Sequence, residues 1–315
     1  MTQGLLVLWI FSGLFIVFEN RIYRLIIYFG IFSLITSVSY LMLGAPDVAM
    51  AEAAIAAFST IFFIICIEKY YNRKVIMEDE RDKSGPLFLR IAKIILPLAL
   101  CAGLFALFVL SIPDSEVSTY LKYQYLTRFM VDVGGENAVT AIYLGYRVYD
   151  TLFEALILVI AVVAVSHMSY FKDSQVKDGL HSEIENYRTA TFTMRIICPI
   201  IVIFGAYLIM NGHISAGGGF QGGLAVASFF ICRYMIYDIY DISVRKVIKW
   251  EEIVFIGIII VTVTAVFFGA AENMPAELLP VFQDIYLIVL NILIGLKVAC
   301  GFFVLFYRYI AIERR

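Results

Sequence analysis

Nine long apolar runs divide this chain and restrict it to folds that a lipid bilayer can hold. They lie at residues 4–18, 25–43, 47–67, 91–112, 151–169, 192–211, 222–240, 252–271 and 285–307. A helix needs about 20 apolar residues to cross the hydrocarbon layer. The chain is 62% hydrophobic and only 16% charged, whereas soluble domains carry about 25% charged residues. The sequence therefore predicts an all-α polytopic membrane protein with about nine transmembrane helices surrounded by lipid.

The basic residues predict how these helices are oriented. Of the 24 lysines and arginines, 20 lie in the segments 19–24, 68–93, 170–195, 233–250 and 308–315. The alternate connections 44–46, 212–221 and 272–284 hold none. Because basic loops stay on the cytoplasmic side, the pattern predicts a multi-pass protein of the cytoplasmic membrane, with its N-terminus outside and its C-terminus in the cytoplasm.

Composition also argues against several classes of function. The net charge is -2, and there is no basic cluster that would indicate a nucleic-acid partner. The five cysteines all lie in apolar runs and form no C-x-x-C pair, so zinc, haem and iron–sulfur spacings are absent. Nothing resembles a nucleophile with its base. We expect no catalytic site and no resident cofactor on this chain.

Among the charged residues within the apolar runs or at their start, four are of most interest: Glu52, Asp150, Glu154 and Lys297. A charge in hydrocarbon costs from about 3 to over 10 kcal/mol, so such residues are candidates for a functional site. Four of them in one chain indicate the movement of ions or protons across a membrane.

The first motif opens the run at 47–67. Pro46 suits the first turn of a helix, and Asp47 beside it complements the positive helix end. Glu52 lies about 7.5 Å deeper, and the small residues Ala49 and Ala56 share its face. We interpret Asp47 first as a structural cap and Glu52 as part of an ion pathway. A glutamate that reaches outward to the interface is the alternative.

The second motif opens the run at 151–169. Asp150 and Glu154 are four residues apart and share one helix face. Two close carboxylates in a low dielectric either share a proton or hold a cation between them, and both arrangements suit an ion path. We interpret Asp150 as a cap and Glu154 as the functional carboxylate. Pairing of Asp150 with Arg147 is the alternative.

The third motif is the glycine-rich connection at 211–223. It contains G-x-G-x-x-G, but a dinucleotide site needs a preceding strand, and this stretch joins two membrane helices. We expect its glycines to allow a tight turn and close packing. His213 is a candidate for proton exchange, and a structural histidine is the equal alternative. The loop residues of interest are Gly217, Gly218, Gly219 and Phe220.

Lys297 is the fourth feature. It lies about 20 Å into its helix counted from Asp284, too far from either surface for its side chain to escape. Cys300 and Gly301 share its face and leave room for a partner. A buried lysine loses its proton readily or pairs with a carboxylate.

These motifs resemble the small subunits of Mrp-type multisubunit Na⁺/H⁺ antiporters. G-A-P-D-V-A-x-x-E-A, through Glu52, is similar to the C-terminal region of the large A subunit, as is Y-R-x-Y-D-T-L-x-E-A at 146–155. G-H-x-x-x-G-G-G-F-x-G-G at 212–223 resembles the B subunit. The resemblance implies three units, at 1–75, 88–170 and 188–315. It also implies that Glu52 and Glu154 are membrane carboxylates of ion transport.

Similar small subunits occur in membrane-bound [NiFe] hydrogenases and related respiratory complexes. The resemblance therefore implies a membrane subunit of a Na⁺ (or H⁺) translocating module, with Na⁺ as a transient ligand. The expected partners are other Mrp-type membrane subunits, including large antiporter-like ones, and hydrogenase-like iron–sulfur and nickel subunits. A component of a stand-alone antiporter, a purely structural scaffold and an autonomous transporter are the alternatives.

Overall fold

The computed structural model describes residues 2–19, 21–70, 115–168, 188–236, 243–270 and 279–311. Every regular element in these ranges is helical, which confirms the all-α prediction. One short segment, Ile142–Tyr146, is π-helical. The α-helices are α1 (Thr2–Phe18), α2 (Ile22–Met42), α3 (Pro46–Tyr70), α4 (Ser115–Asp132), α5 (Ala138–Ala141), α6 (Val148–Met168), α7 (Arg188–Asn211), α8 (Gly219–Ile236), α9 (Val244–Ala270) and α10 (Leu279–Ala311).

Five of the described helices are long and apolar enough to cross a bilayer. These spans are Ile22–Met42, Pro46–Ile64, Val148–Met168, Val244–Phe267 and Leu279–Arg308. Shorter apolar helices cover Val7–Phe18 and Arg195–Asn211. The predicted run at 91–112 lies outside the described residues. The count of nine helices and their orientation remain predictions.

The outward faces of the helices are apolar. Phe15 is 60% exposed, Ile203 70% and Phe267 73%. Apolar surface of this extent is unusual on a soluble monomer and is the surface that lipid or another membrane protein covers. The exposed side chains therefore agree with a membrane protein.

Helix α10 is the centre of the bundle, and α3, α6, α7, α8 and α9 all contact it. Leu287 and Leu290 of α10 are fully buried in the main apolar core. Helices α3 and α10 run in the same direction, because Phe58 packs on Phe302 and Phe62 on Phe306. Helix α2 packs on α3, and α1 on α2. The three segments of chain thus share one core.

A helical hairpin precedes α6. Its first helix, α4, ends at Asp132, and the glycines that follow, Gly134 and Gly135, have positive φ, 88° and 74°. Gly145 allows the hairpin to close, since a Cβ there would meet the side chain of Val133. The hairpin brings the 137–146 segment against the α7–α8 loop.

Glycines bring α8 and α10 into direct backbone contact. A Cβ at Gly219 would lie 2.5 Å from the carbonyl oxygen of Asn291, and one at Gly223 would lie 2.5 Å from that of Gly295. No side chain fits at this glycine seam, formed by Gly219, Gly223 and Gly295. The predicted role of the glycine-rich motif in close packing is therefore correct.

We expect Gly223→Ala to destabilise the protein by about 1–3 kcal/mol, since α8 and α10 have to separate to admit the methyl group. Gly257→Ala is the matched control. A Cβ at Gly257 meets only the Leu293 side chain at ordinary contact distance, 3.7 Å. The control should be neutral or stabilising by up to about 1 kcal/mol. Thermal unfolding in detergent measures both, and equal midpoints would contradict the expectation.

Candidate functional site

A buried polar cluster joins α3, the 137–146 segment and the α7–α8 loop at one end of the bundle. Asp47 lies in the first turn of α3 and is buried. Its Oδ1 accepts hydrogen bonds from Asn137 Nδ2 at 2.9 Å and from the backbone N–H of Gly217 at 3.1 Å. The positive end of α3 also favours the carboxylate there. These contacts agree with the structural interpretation of Asp47, and its role in ion transport stays a prediction.

Asn137 is the connecting residue of this cluster, and the sequence did not single it out. Its amide nitrogen also donates to the carbonyls of Gly212, at 3.2 Å, and Ser215, at 2.9 Å. Its Oδ1 accepts from the N–H of Val139 and so caps α5. The signal available in the sequence was an asparagine directly before a short apolar stretch, which is a common helix start.

Asn291 forms the second centre of the cluster. Its Oδ1 accepts from the N–H of Gly219 at 3.0 Å and from the Tyr143 hydroxyl at 3.1 Å. Burial raises the pKa of Tyr143 to about 12, so the phenol keeps its proton and acts as a donor at neutral pH. Thr140 donates to the Gly212 carbonyl at 2.6 Å. The loop is therefore held from two helices.

The predicted loop residues lie in this cluster. Gly217 and Gly218 have φ values of 150° and 147°, a region that favours glycine. Phe220 packs edge-on against Phe302 of α10. The carbonyl of His213 accepts the N–H groups of Glu136 and Asn137. Its side chain is buried, and the Nδ1 atom has no hydrogen-bond partner among the described residues.

Glu52 belongs to α3, and its side chain contacts α2. It is half-buried and accepts a 2.6 Å hydrogen bond from the hydroxyl of Ser33, which is itself buried. The small residues Ala49 and Ala56, predicted to share its face, are buried. The carboxylate thus has a polar neighbour inside the bundle, and the sequence had not identified Ser33.

Asp150 and Glu154 occupy the outward side of α6, and both are exposed on this chain. Arg147 forms an ion pair with Asp150, which was the alternative considered for that residue. Glu154 lies one turn deeper, inside a predicted membrane span. Its side chain lies among exposed apolar residues, including Phe153 and Ile157. A carboxylate at this position needs water or another membrane protein beside it, because lipid cannot solvate it.

Lys297 pairs with Glu251 of α9. Each side chain is only 1% exposed, and the ammonium lies 5.4 Å from the centroid of the Phe255 ring. The prediction that Lys297 is buried with room for a partner is confirmed. Glu251 was missed because it precedes the apolar run at 252–271 by one residue.

Glu52, Glu154 and Lys297 lie at about the same depth in the bundle. Glu52 comes six residues before Phe58, and Lys297 five residues before its contact Phe302, on parallel helices. Leu158 packs on Gly301, and Glu154 and Lys297 each come four residues earlier. At 1.5 Å per residue these offsets agree to within about 2 Å. We call Glu52, Glu154, Glu251 and Lys297 the charge layer.

The charge layer contributes carboxylate oxygens, which alkali cations and protons can bind. In the part of the chain that the structure describes, no group of three His, Cys, Asp or Glu side chains could hold a metal ion.

The helical fold, its candidate spans and its apolar outward faces define a polytopic membrane protein. Two family models match the chain: the domain related to the MnhB subunit of Na⁺/H⁺ antiporters at residues 189–304, and MbhD, the D subunit of MBH, at residues 7–71. The chain is thus a homologue of Mrp-type antiporter subunits with an MnhB-related and an MbhD domain, which confirms the resemblance predicted from its motifs.

Known proteins extend this result. A probable K⁺/H⁺ antiporter A/B protein of Rhizobium meliloti is 26% identical over 80% of this chain, and the match spans only 28% of that protein. A chain of the Mrp complex from Dietzia sp. superposes on this protein with a TM-score of 0.65 at 19% identity, which shows the fold. The match covers 95% of this chain and 34% of the Dietzia chain. A chain of the membrane-bound sulfane sulfur reductase, "an archaeal respiratory membrane complex", superposes with a TM-score of 0.50 at 26% identity. That match covers 69% of this chain and 96% of the reductase chain.

Proposed function

We propose that this chain supplies part of a Na⁺ (or H⁺) pathway in a Mrp-like module of a multisubunit energy-converting complex of the cytoplasmic membrane. The charge layer carries the proposal, since it places three carboxylates and one lysine at about one depth in the membrane-spanning helices. Glu52 and Glu154 relay or coordinate the ion. Lys297 tunes a neighbouring carboxylate. Asp47, Asp150 and His213 belong to the entrance at the end of the bundle where the α7–α8 loop lies.

The position of Glu154 supports a complex rather than a chain that acts alone. Its carboxylate lies on the outward side of a membrane span, beside exposed apolar side chains. Leaving it against lipid would cost several kcal/mol. A neighbouring membrane protein that presents a polar group or a water-filled path removes this cost. We infer that large antiporter-like subunits contact α6.

The parent complex that we propose is a redox-driven respiratory complex of the hydrogenase type. The match to the MbhD family supports this parent complex. The match to the respiratory reductase also supports it, because it covers nearly the whole of the reductase chain. Iron–sulfur and nickel subunits would then supply the electron transfer. A stand-alone antiporter is the second candidate, because the Rhizobium meliloti relative named as an antiporter protein matches four-fifths of this chain.

We expect Glu52→Gln and Glu154→Gln each to reduce cation transport by at least about tenfold while the complex assembles normally. A neutral amide keeps the shape of the side chain but removes the charge that holds the ion, which is worth well over about 1.4 kcal/mol in a low dielectric. Ion flux into inside-out vesicles from cells that express the complete complex is the measurement.

Glu252→Gln is the matched control, since Glu252 is exposed near the start of α9. It should transport at the wild-type rate. If Glu52→Gln and Glu154→Gln assemble and transport as well as this control, the chain is a scaffold and the proposed pathway is wrong.

A further inference from the structure

The ion pair of Glu251 and Lys297 is not explained by packing. Both side chains are 1% exposed. Apart from each other, neither the carboxylate oxygens nor the ammonium has a hydrogen-bond partner among the residues described. A buried pair rarely repays its desolvation without such support, and apolar side chains of the same volume often serve stability as well or better.

The pair lies nearer to one end of α9 than to the other. Glu251 is the eighth residue of α9, so it lies about 10 Å from Val244, at the end that the sequence predicts to be cytoplasmic. Lys297 lies about 27 Å along α10 from Leu279. Towards the α7–α8 loop, the glycine seam closes the bundle on one side of Lys297. Its free lone pairs make the Glu251 carboxylate the group that can accept a proton.

Few other ionisable groups surround the pair. The part of α8 that packs on α10, residues 219–231, contains none. The thiol of Cys300 lies beside the ammonium. The remaining groups near this depth are Glu154 on α6, Glu52 on α3, and the exposed Lys249 and Glu252 that flank Glu251 on α9.

We propose that Glu251 and Lys297 form a proton-exchange site, distinct from the carboxylates that hold the cation. A proton leaves hydronium at the near end of α9 and forms an O–H bond with a Glu251 oxygen, while Lys297 keeps its three N–H bonds. The charge of the pair changes from zero to +1. Since Lys297 shares the depth of Glu52 and Glu154, this positive charge opposes a second cation there and couples proton uptake to cation release. The inference rests on the proposed pathway.

The test is the double variant Glu251→Gln/Lys297→Met in the complete complex. Removing both charges avoids an unpaired buried ion, so we expect normal assembly. Proton movement coupled to the cation, followed by a pH-sensitive dye in inside-out vesicles, should fall by at least about tenfold, since a group that transfers protons typically contributes about 100-fold or more. Wild-type coupling in an assembled double variant would overturn the proposal.

Glu251→Asp provides a second measurement that a structural role would not affect. It keeps the charge but moves the carboxylate away from Lys297, so the pH profile of transport should shift while the Glu252→Asp control keeps the wild-type profile. An unshifted profile in Glu251→Asp would contradict a proton-exchange site. If the proposed cation pathway itself is wrong, Glu52→Gln will transport cations at the wild-type rate. That result distinguishes a wrong pathway from a wrong assignment of the proton-exchange site.

Discussion

Lys297→Met alone should prevent the protein from accumulating in the membrane. The substitution leaves Glu251 charged, 1% exposed and without a partner among the described residues. Breaking a buried pair by removing one member typically costs about 3–5 kcal/mol. That is a large share of the roughly 5–15 kcal/mol that keeps most proteins folded. The amount of intact protein in membranes and its thermal unfolding in detergent are the measurements.

The double variant separates charge from packing in this prediction. Adding Glu251→Gln to Lys297→Met should restore most of the lost stability, because no buried charge remains. Lys249→Met, on the exposed side of α9, is the control and should change stability by less than about 0.5 kcal/mol. A single variant as stable as this control would show that Glu251 finds another partner.

Asn137→Ala should have the second large effect. The side chain donates to Asp47, Gly212 and Ser215 and caps α5, so its loss removes a helix cap and three further hydrogen bonds, one of them to a buried carboxylate. A cap is worth about 1 kcal/mol, a neutral hydrogen bond about 0.5–1.5 kcal/mol and one to a charged group about 1.5–3 kcal/mol. We expect a loss of about 3 kcal/mol or more in the free energy of unfolding.

Gln283→Ala is the comparison for Asn137. Gln283 also donates its amide to two backbone carbonyls, those of Val131 and Asp132, but it does so where water can replace it. Its loss should cost less than about 1 kcal/mol. Protease cleavage of the α7–α8 loop provides an independent measurement, since only Asn137→Ala should release that loop. Equal effects of the two substitutions would contradict the buried cluster.

The helices themselves were predictable because length and apolar content are local properties of the sequence. The chemistry of Lys297 was also predictable, since an ammonium that cannot reach a surface needs a partner. Its partner was not. Glu251 and Glu252 are adjacent at the edge of an apolar run. Only the rotation of α9 about its own axis, relative to α10, decides that Glu251 is the buried one.

The polar cluster could not be predicted from the sequence for a related reason. Asn137 meets Asp47 across 90 residues and Ser215 across 78 residues. Each residue alone has a sufficient local explanation, as a helix cap or a turn former. Contacts between residues so far apart in sequence depend on how the helices pack in three dimensions. The motifs were matched one by one to separate subunits, so they carry no information about that packing.

The contact of α8 with α10 also limits where a hydrated ion can travel. Backbone touches backbone at Gly219, Gly223 and Gly295, and Gly205 and Gly222 bring α7 equally close to α8. A sodium ion with even a single water molecule is wider than either gap. Under the proposed function, the ion therefore passes outside these two glycine contacts, along α6, where Glu154 is exposed, and a neighbouring chain has to form the missing wall of that conduit.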